Sequence, residues 1–549
     1  MSPGIRQNFH DRIAALLCAL FFLQGLCLVR ETSPTADEIP FHMVNGYAYL
    51  KTRDYRMSPA NPAMLREWMA LPWLVLKPRL DLEKKSWAAA DSENFGKEFF
   101  YKDNRSAADR LLYASRFMIL LLGTALGIVV FLWSRSLYGA WGGILSLAIY
   151  AFCPNFLAHS AIAHTDVGVT LFLTLSAFFL WRYLEYSRTL DLWGLVFSFG
   201  FACAAKYNAL FFSVPLFLIL VLRKGLRTSL KAAALCFLST FFVIWFTYGF
   251  EFKPILGGVV PRIDEKLSYV SAISQHLFPG QENVENFLKR IALQTPVPIP
   301  TYLLGIAGML RSHQAPYLHY AFGEWTTKAR WYYYIFCFVT KMTLLFLALL
   351  FLRIVFFRKA GSPSGNENWV VWPLTATVFI VTAFDTAGQG IRYLFPVIPI
   401  LFVWIGGLVR PASKSKIAIG VLCAVVILNP LTTLPVFPNY LSYFNPLIGG
   451  VMGGYCYVRG SDVDWGQGLK GLKNHLDKNA VPKVSLRYFG SADPSFYGIS
   501  YEPVSEAESK VPDKKVYAIS LFYLEHMEWS RRIKPTALVG GSIFVYDLR

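Results

Sequence analysis

Acidic residues are scarce in this sequence: 35 Asp and Glu stand against 53 Lys and Arg in 549 positions. Its cysteines show no metal-ligand spacing. Cys18, Cys27, Cys153, Cys203, Cys236, Cys337 and Cys423 sit in or beside apolar runs, as small buried hydrophobes do, and only Cys456 lies in a polar stretch. Neither a zinc module nor a disulfide framework is written into such a chain. Internal repeats, heptad runs and low-complexity tracts are also missing, so nothing calls for a solenoid, a coiled coil or a disordered arm. The formal charge of +18 would suggest nucleic acid in a soluble protein. No module of interleaved basic and aromatic residues is present, and no nucleic-acid partner is expected.

What the sequence has is apolar length. It is 54% hydrophobic and 16% aromatic, with a mean hydropathy of +0.39. A bilayer core of about 30 Å needs runs of about 20 apolar residues per helix. About eleven such spans can be counted, at 13–29, 111–133, 141–157, 167–183, 192–205, 209–222, 232–248, 331–352, 370–383, 393–409 and 417–436. The first resembles a signal peptide behind Arg6 and Arg12. No small-residue cleavage site follows it, so it reads as a retained helix. Lys206 divides the run 192–222, which is too long for one ordinary span.

Charge supplies the orientation. The basic connectors are Arg135, Arg182 with Arg188, Arg223 to Lys231, Arg353 to Lys359 and Arg410 to Lys416, and they alternate with the other connectors. Lys and Arg collect in cytoplasmic loops. With the N-terminus inside, all five basic connectors lie inside and eleven spans put the C-terminus outside. The expected division is a transmembrane module over 1–437, with long outside loops at 30–110 and 249–330, followed by an extracytoplasmic domain over 438–549. Segments 39–50 and 61–76 read as interfacial helices, and 279–290 as a short amphipathic one. In the tail, 483–489, 515–523 and 542–546 alternate like strands, while 465–476 and 521–531 could be helices. Together they suggest a small α/β domain.

The outside connectors hold the candidate chemistry. Asp37-Glu38 follows the first span directly; solvation at a membrane exit would be the plainer account of such a pair. His164 and Asp166 lie in Ala163-His164-Thr165-Asp166-Val167, at the lip of an apolar helix, where a carboxylate must be paired or functional. Lys206 and Arg392 stand at outer helix ends, where the orientation rule disfavours them. Snorkelling accounts for this blandly. Binding an anionic head group accounts for it sharply. A carboxylate acting on a hydroxyl, with cations facing a phosphate leaving group, suits transfer of a group from a lipid phosphate.

The motifs resemble those of GT-C class membrane glycosyltransferases, closest to the protein O-mannosyltransferase-like family, which is itself similar to the aminoarabinose transferases. The resemblance runs through Asp37-Glu38, His42, Gly46-Tyr47-Ala48-Tyr49 and Asp54-Tyr55. It continues through 158–172, Ala204-Ala205-Lys206-Tyr207, Gly323-Glu324, Trp331-Tyr332-Tyr333 and Lys341 to Gly390-Ile391-Arg392-Tyr393-Leu394-Phe395-Pro396. In the tail it includes Tyr443-Phe444-Asn445, Ser461 to Gln467, Tyr488-Phe489-Gly490 and Asp493-Pro494. Two stretches depart from the family pattern: its common His-Pro-Pro-Leu reads Asn61-Pro62-Ala63-Met64, and its Lys-Thr-Pro reads Lys341-Met342-Thr343.

The resemblance implies a polytopic α-helical GT-C-like fold and an inverting transfer of a sugar. The donor would be a polyprenyl-phosphate sugar, and the acceptor a hydroxyl of a protein or a lipid or glycan. By position, Asp37 would be the general base, with Glu38 and Asp166 orienting the acceptor or tuning that base. Lys206, Arg392 and Tyr393 would face the donor phosphate. His42 and His164 would support the site or the acceptor, though packing or anchoring at the interface is the plainer account of His42 and Tyr393. Some relatives bind a divalent metal near the acidic site. Here Asp37, His42, His164 and Asp166 could supply ligands, though no metal spacing is visible. The tail motifs lean towards a bacterium, which would place the protein in the inner (plasma) membrane with its site and C-terminus outside. The rival reading is a transporter or flippase for a polyprenyl-linked or anionic substrate. It would call for charged or broken sites near mid-span and half-to-half symmetry, whereas the ionisable groups here lie at helix ends.

Overall fold

The computed structural model describes residues 3–257, 263–314, 318–362, 365–413 and 415–549. Parts of the expected outside loop (258–262 and 315–317) and Lys414 of a basic connector lie outside the described residues.

Every expected apolar run is helical over most of its length. Among the described residues, five helices are long and apolar enough to cross a membrane: Asn8–Glu31, Arg105–Tyr138, Asp166–Tyr186, Tyr207–Lys224 and Leu226–Thr247. Two bent pairs pass the same test together, each a broken span or a re-entrant loop: Ala140–Ala151 with Pro154–Ser160 at 66° and Tyr333–Lys341 with Leu344–Val355 at 110°. Cys153, in extended conformation before Pro154, breaks the first pair, since the residue before a proline is pushed out of the helical region. In the second, extended Met342 and Thr343 separate the two helices, and Thr343 caps the next helix by accepting from Phe346 N at 3.3 Å. The runs at 192–205, 370–383, 393–409 and 417–436 fall on shorter apolar helices, and one more, Pro300–Leu310, lies in the long second loop. By length and composition, five helices among the described residues qualify as spans, or seven if each bent pair is one, with five shorter apolar helices besides.

The basic connectors gather on one face of the bundle. Arg135 bonds Asp11 at 2.7 Å, and Arg410 donates to Leu137 O at 3.0 Å. Arg223 bonds Asn366 Oδ1 at 2.6 Å, Asn366 donates to Glu185 at 2.8 Å, and Lys224 bonds Ser187 Oγ at 2.6 Å. Helix Asp166–Tyr186 starts at the candidate site and ends at this basic face. Its 21 residues rise about 30 Å, so the two faces are a bilayer core apart.

The first long loop is packed structure. Helix Val44–Thr52 and the short helical segments Trp73–Leu76 and Phe99–Asp103 bury Tyr47, Trp73 and Phe99 against one another, and Trp73 stacks on Phe99 with centroids 5.6 Å apart. Gly46 permits the close approach: a Cβ there would lie 2.0 Å from the carbonyl oxygen of Arg66. The stretches expected to be interfacial thus bury their apolar faces in protein, apart from a rim at Leu71, Leu74, Val75 and Leu76.

The tail holds a five-stranded sheet in the order 501–503, 484–487, 516–520, 543–547, 537–539. The first two pairings are parallel and the last two antiparallel. Helix Leu469–Lys478 buries Leu469, Leu472 and Leu476 beneath it. The stretch that could be a helix over 521–531 forms a 3₁₀ helix at Leu521–His526 and turns beyond it. Between membrane helices and sheet, 438–468 lies on the bundle. Asn445, for example, donates to Val339 O at 2.7 Å and to Met342 O at 2.9 Å, satisfying carbonyls that the bend at Met342 leaves free.

Candidate active site

Asp166 is the centre of the site. It opens its helix, where the helix dipole favours a carboxylate, and it is 2% exposed. Lys206 Nζ donates to it at 2.6 Å, His164 Nδ1 lies 2.8 Å away, and Arg392 Nη1 lies 3.7 Å away. Lys206 is placed by the break after helix Thr189–Ala205, and Arg392 by a tight turn at Gly390–Leu394. Three distant segments therefore converge on one buried carboxylate. Tyr393 stands beside them, its ring 5.2 Å from Lys206 Nζ and stacked on Tyr334.

Asp37 lies across His164, whose Nε2 is 4.0 Å from Asp37 Oδ2. The Asp37 side chain keeps 31% of its exposure, while His164 and Asp166 are buried. His42 packs its ring edge-on to His164, with centroids 4.4 Å apart. Burial pushes the His42 imidazole well below its ordinary pKa, and neighbouring His164 and Arg66 push it the same way, so the ring is neutral at pH 7.

Glu38 has a different place from its neighbour. It is wholly buried and grips Arg116 through two 2.7 Å bonds. It also accepts from Thr35 N and Ala163 N, both at 2.7 Å. Burial alone would raise its carboxyl, but Arg116 and the two backbone donors outweigh that and hold it below the usual carboxylate range. Arg116 spends its remaining donors on Val29 O, Thr32 and Ser33 O. The pair thus ties the exit of the first helix to the segment that carries His164 and Asp166.

The cations open onto a cavity of about 330 Å³. Asp166, Lys206, Arg392, Tyr393, Asn208 and Asp385 line its polar end, and Phe211, Thr377 and Val381 its apolar end. Those three residues also line a second, almost wholly apolar cavity of about 430 Å³ that runs past Leu218 and Leu222 to Trp369. Trp369 lies beneath Arg223 of the basic face. Leu218 and Leu222 are 52% and 69% exposed, as lipid-facing residues are.

A metal does not fit this donor set. Asp166 already faces Lys206, Arg392 and His164, and two fixed cations oppose a third. Among the described residues no three His, Cys, Asp or Glu are placed to hold a metal ion.

Of the sequence-derived residues, Asp37, His42, His164, Asp166, Lys206, Arg392 and Tyr393 come together, and Glu38 sits behind them with its partner taken. Sequence reasoning passed over Arg116, Asn208, Asp385, Asp462 and Trp465 as site residues. Arg116 carried a usable signal, since an arginine inside an apolar run demands a partner. Asp462 and Trp465 had only their place in the tail motif.

Residues 109–248, 140 of the 549 positions, match the family model described as dolichyl-phosphate-mannose-protein mannosyltransferase. The match and the motifs agree on a membrane glycosyltransferase of the GT-C class, built as a multi-pass helical protein. Among solved structures, ArnT from Cupriavidus metallidurans in the apo state is 10% identical, at a TM-score of 0.32 over 98% of both chains. The same ArnT bound to undecaprenyl phosphate is 10% identical, at 0.33 over 97% of both chains. The Archaeoglobus fulgidus oligosaccharyltransferase tethered to an acceptor peptide is 10% identical, at 0.42 over 77% of this chain and 54% of that one. At these TM-scores the likenesses establish neither fold nor activity. No curated protein is similar enough in sequence to count as a relative.

Proposed function

We propose that this protein transfers a sugar, with inversion, from a polyprenyl-phosphate donor to a hydroxyl of a protein or a lipid or glycan acceptor. The transfer takes place on the outer face of the inner (plasma) membrane. The observation that carries this reading is the convergence of Lys206 and Arg392 at the polar end of a cavity that continues as an apolar groove along the outside of the bundle. A phosphate with a long hydrocarbon tail suits both ends. The groove follows helix Ser213–Lys224, whose 12 residues rise about 18 Å.

In the step proposed, Asp37 takes the proton from the acceptor hydroxyl as its oxygen attacks the anomeric carbon. The bond from that carbon to the phosphate oxygen breaks on the opposite face, and polyprenyl phosphate departs with the electron pair. Lys206 and Arg392 stabilise the charge that builds on the phosphate. Asp166 holds both cations in place, His164 spaces Asp166 from the base, and Glu38 with Arg116 braces the loop. The basic face, some 30 Å from the site, supports an extracytoplasmic site and C-terminus. A carrier would need ionisable groups near mid-span, whereas these lie at one end of their helices.

Mass spectrometry of cell-envelope glycans and glycoproteins, with and without the protein, tests the reading and separates a protein acceptor from a lipid one. Envelopes identical in both cells, alongside purified protein that does not turn over polyprenyl-phosphate sugars, would defeat it.

A further inference from the structure

The tail reaches into the site at one short loop, and that loop touches both halves of the chemistry. Trp465 is 3% exposed. The Arg392 guanidinium lies over its ring, 4.5 Å from the centroid. The same ring meets His164 at 5.0 Å and His159 at 6.1 Å. Its backbone oxygen accepts from Ala36 N at 2.8 Å, one residue before Asp37.

Neighbouring residues fasten the loop on both sides. The Asp462 carboxylate accepts from Ile391 N with both oxygens, at 3.1 and 3.0 Å, directly before Arg392. Gly390 makes room for it: its φ is +71°, and a Cβ there would lie 1.8 Å from Asp462 Oδ2. The buried ammonium of Lys341 donates to the carbonyl oxygens of Asp462 and Leu441. On the other side, Ser33 N donates to Gln467 O at 3.1 Å, and Ser33 Oγ to Gly466 O at 3.0 Å. On the tail side, the Asp464 carboxylate anchors the loop by accepting from Phe522 N at 3.2 Å.

We infer that Trp465 is a positioning residue for donor binding: its ring holds the Arg392 guanidinium towards the donor phosphate while its backbone fixes the segment that presents Asp37. The tail is then part of the site and not an accessory to it. The inference rests on the donor-phosphate role given to Arg392 above. Arg392 needs such a support because its other tethers, Gln389 O and Oε1, belong to its own turn, and Asp166 is 3.7 Å away. A desolvated cation–π contact is comparable in size to about a tenfold change in affinity.

The test is binding of undecaprenyl phosphate to the full-length protein in lipid nanodiscs, with thermal unfolding read in parallel. Trp465→Leu should weaken binding about tenfold. Trp465→Phe, which keeps an aromatic face, should recover most of that. In an Arg392→Gln background, with the cation gone, Trp465→Leu should add nothing, and Trp465→Met, which also removes the aromatic face, serves in the same comparison should the leucine variant fold poorly. Wild-type affinity in Trp465→Leu would overturn the inference, as would losses that simply add in the double variant. A loss at Arg392→Gln without one at Trp465→Leu would overturn the positioning role and leave the donor reading standing. Folded wild-type protein that does not bind the lipid phosphate would overturn both.

Discussion

Glu38 and Arg116 stand 78 positions apart and meet in a two-pronged ion pair with neither side chain exposed. Asp37, the next residue along the chain, keeps 31% of its side chain exposed and makes no contact closer than 4.0 Å to His164 among its ion pairs. Two adjacent carboxylates therefore have opposite environments, and their substitutions should separate stability from turnover.

Glu38→Ala would leave the Arg116 guanidinium buried without its counter-charge, which costs ~3–5 kcal/mol. The protein should unfold at markedly lower temperature or denaturant, or fail to accumulate in the membrane. A double-mutant cycle with Arg116→Met should give a smaller loss than the two single changes added together. Additive losses would mean that the pair is not coupled.

Asp37→Asn should leave the unfolding midpoint within experimental error of wild type and lower turnover by about a hundredfold or more, as expected when a general base is lost. Turnover assays beside thermal unfolding decide it. Near-normal turnover with the native acceptor would remove Asp37 from the proposed role.

Arg392→Lys keeps the charge but loses the planar fork that faces both a phosphate and the Trp465 ring. Its effect should fall on use of the polyprenyl-phosphate donor, as a raised donor KM, with acceptor binding less affected. Steady-state kinetics with each substrate varied in turn would show the split. An effect confined to the acceptor would place Arg392 elsewhere in the reaction.

Asp464 gives a pH dependence. Burial pushes its carboxyl up to about 7, despite backbone donors from Phe522 and Gly466. An unfolded Asp titrates near about 3.9. Between these values the folded chain holds the proton and the unfolded chain does not. The contribution is thus fully present below about pH 4 and lost as pH rises towards 7. Glu502 and Glu508, both lowered to about 2, act in the opposite sense at lower pH, outside that window. Unfolding of Asp464→Asn should therefore decline less steeply than wild type between pH 4 and 7, the remaining decline coming from Glu67, whose carboxyl burial also pushes up to about 7. Identical pH profiles would show that Asp464 is ionised throughout.

A reporter fused after Arg549 should be active outside the cytoplasm, because the basic connectors share the face opposite the site. Activity only inside would reverse the orientation and the placement of the site with it.

Much of this was legible in one dimension. Apolar length located the helices, because lipid leaves backbone groups no partner except their own helix. The alternation of basic connectors divided the chain between two faces. Asp166, Lys206 and Arg392 were conspicuous because a charge at the end of an apolar run needs a reason. Span number was less legible: the bends at Cys153 and Met342 and the short helix at 300–310 depend on packing and not on hydropathy.

What only the tertiary structure decided is which charge meets which. Glu38 and Asp37 are neighbours with the same chemistry, and sequence could not distinguish them. Only the fold brings Arg116 to one and leaves the other open. Nor could spacing reveal that Trp465 would arrive beside Arg392. Side-chain pairing at long range is settled by the close packing of the whole chain, and it leaves no periodic trace in the order of residues.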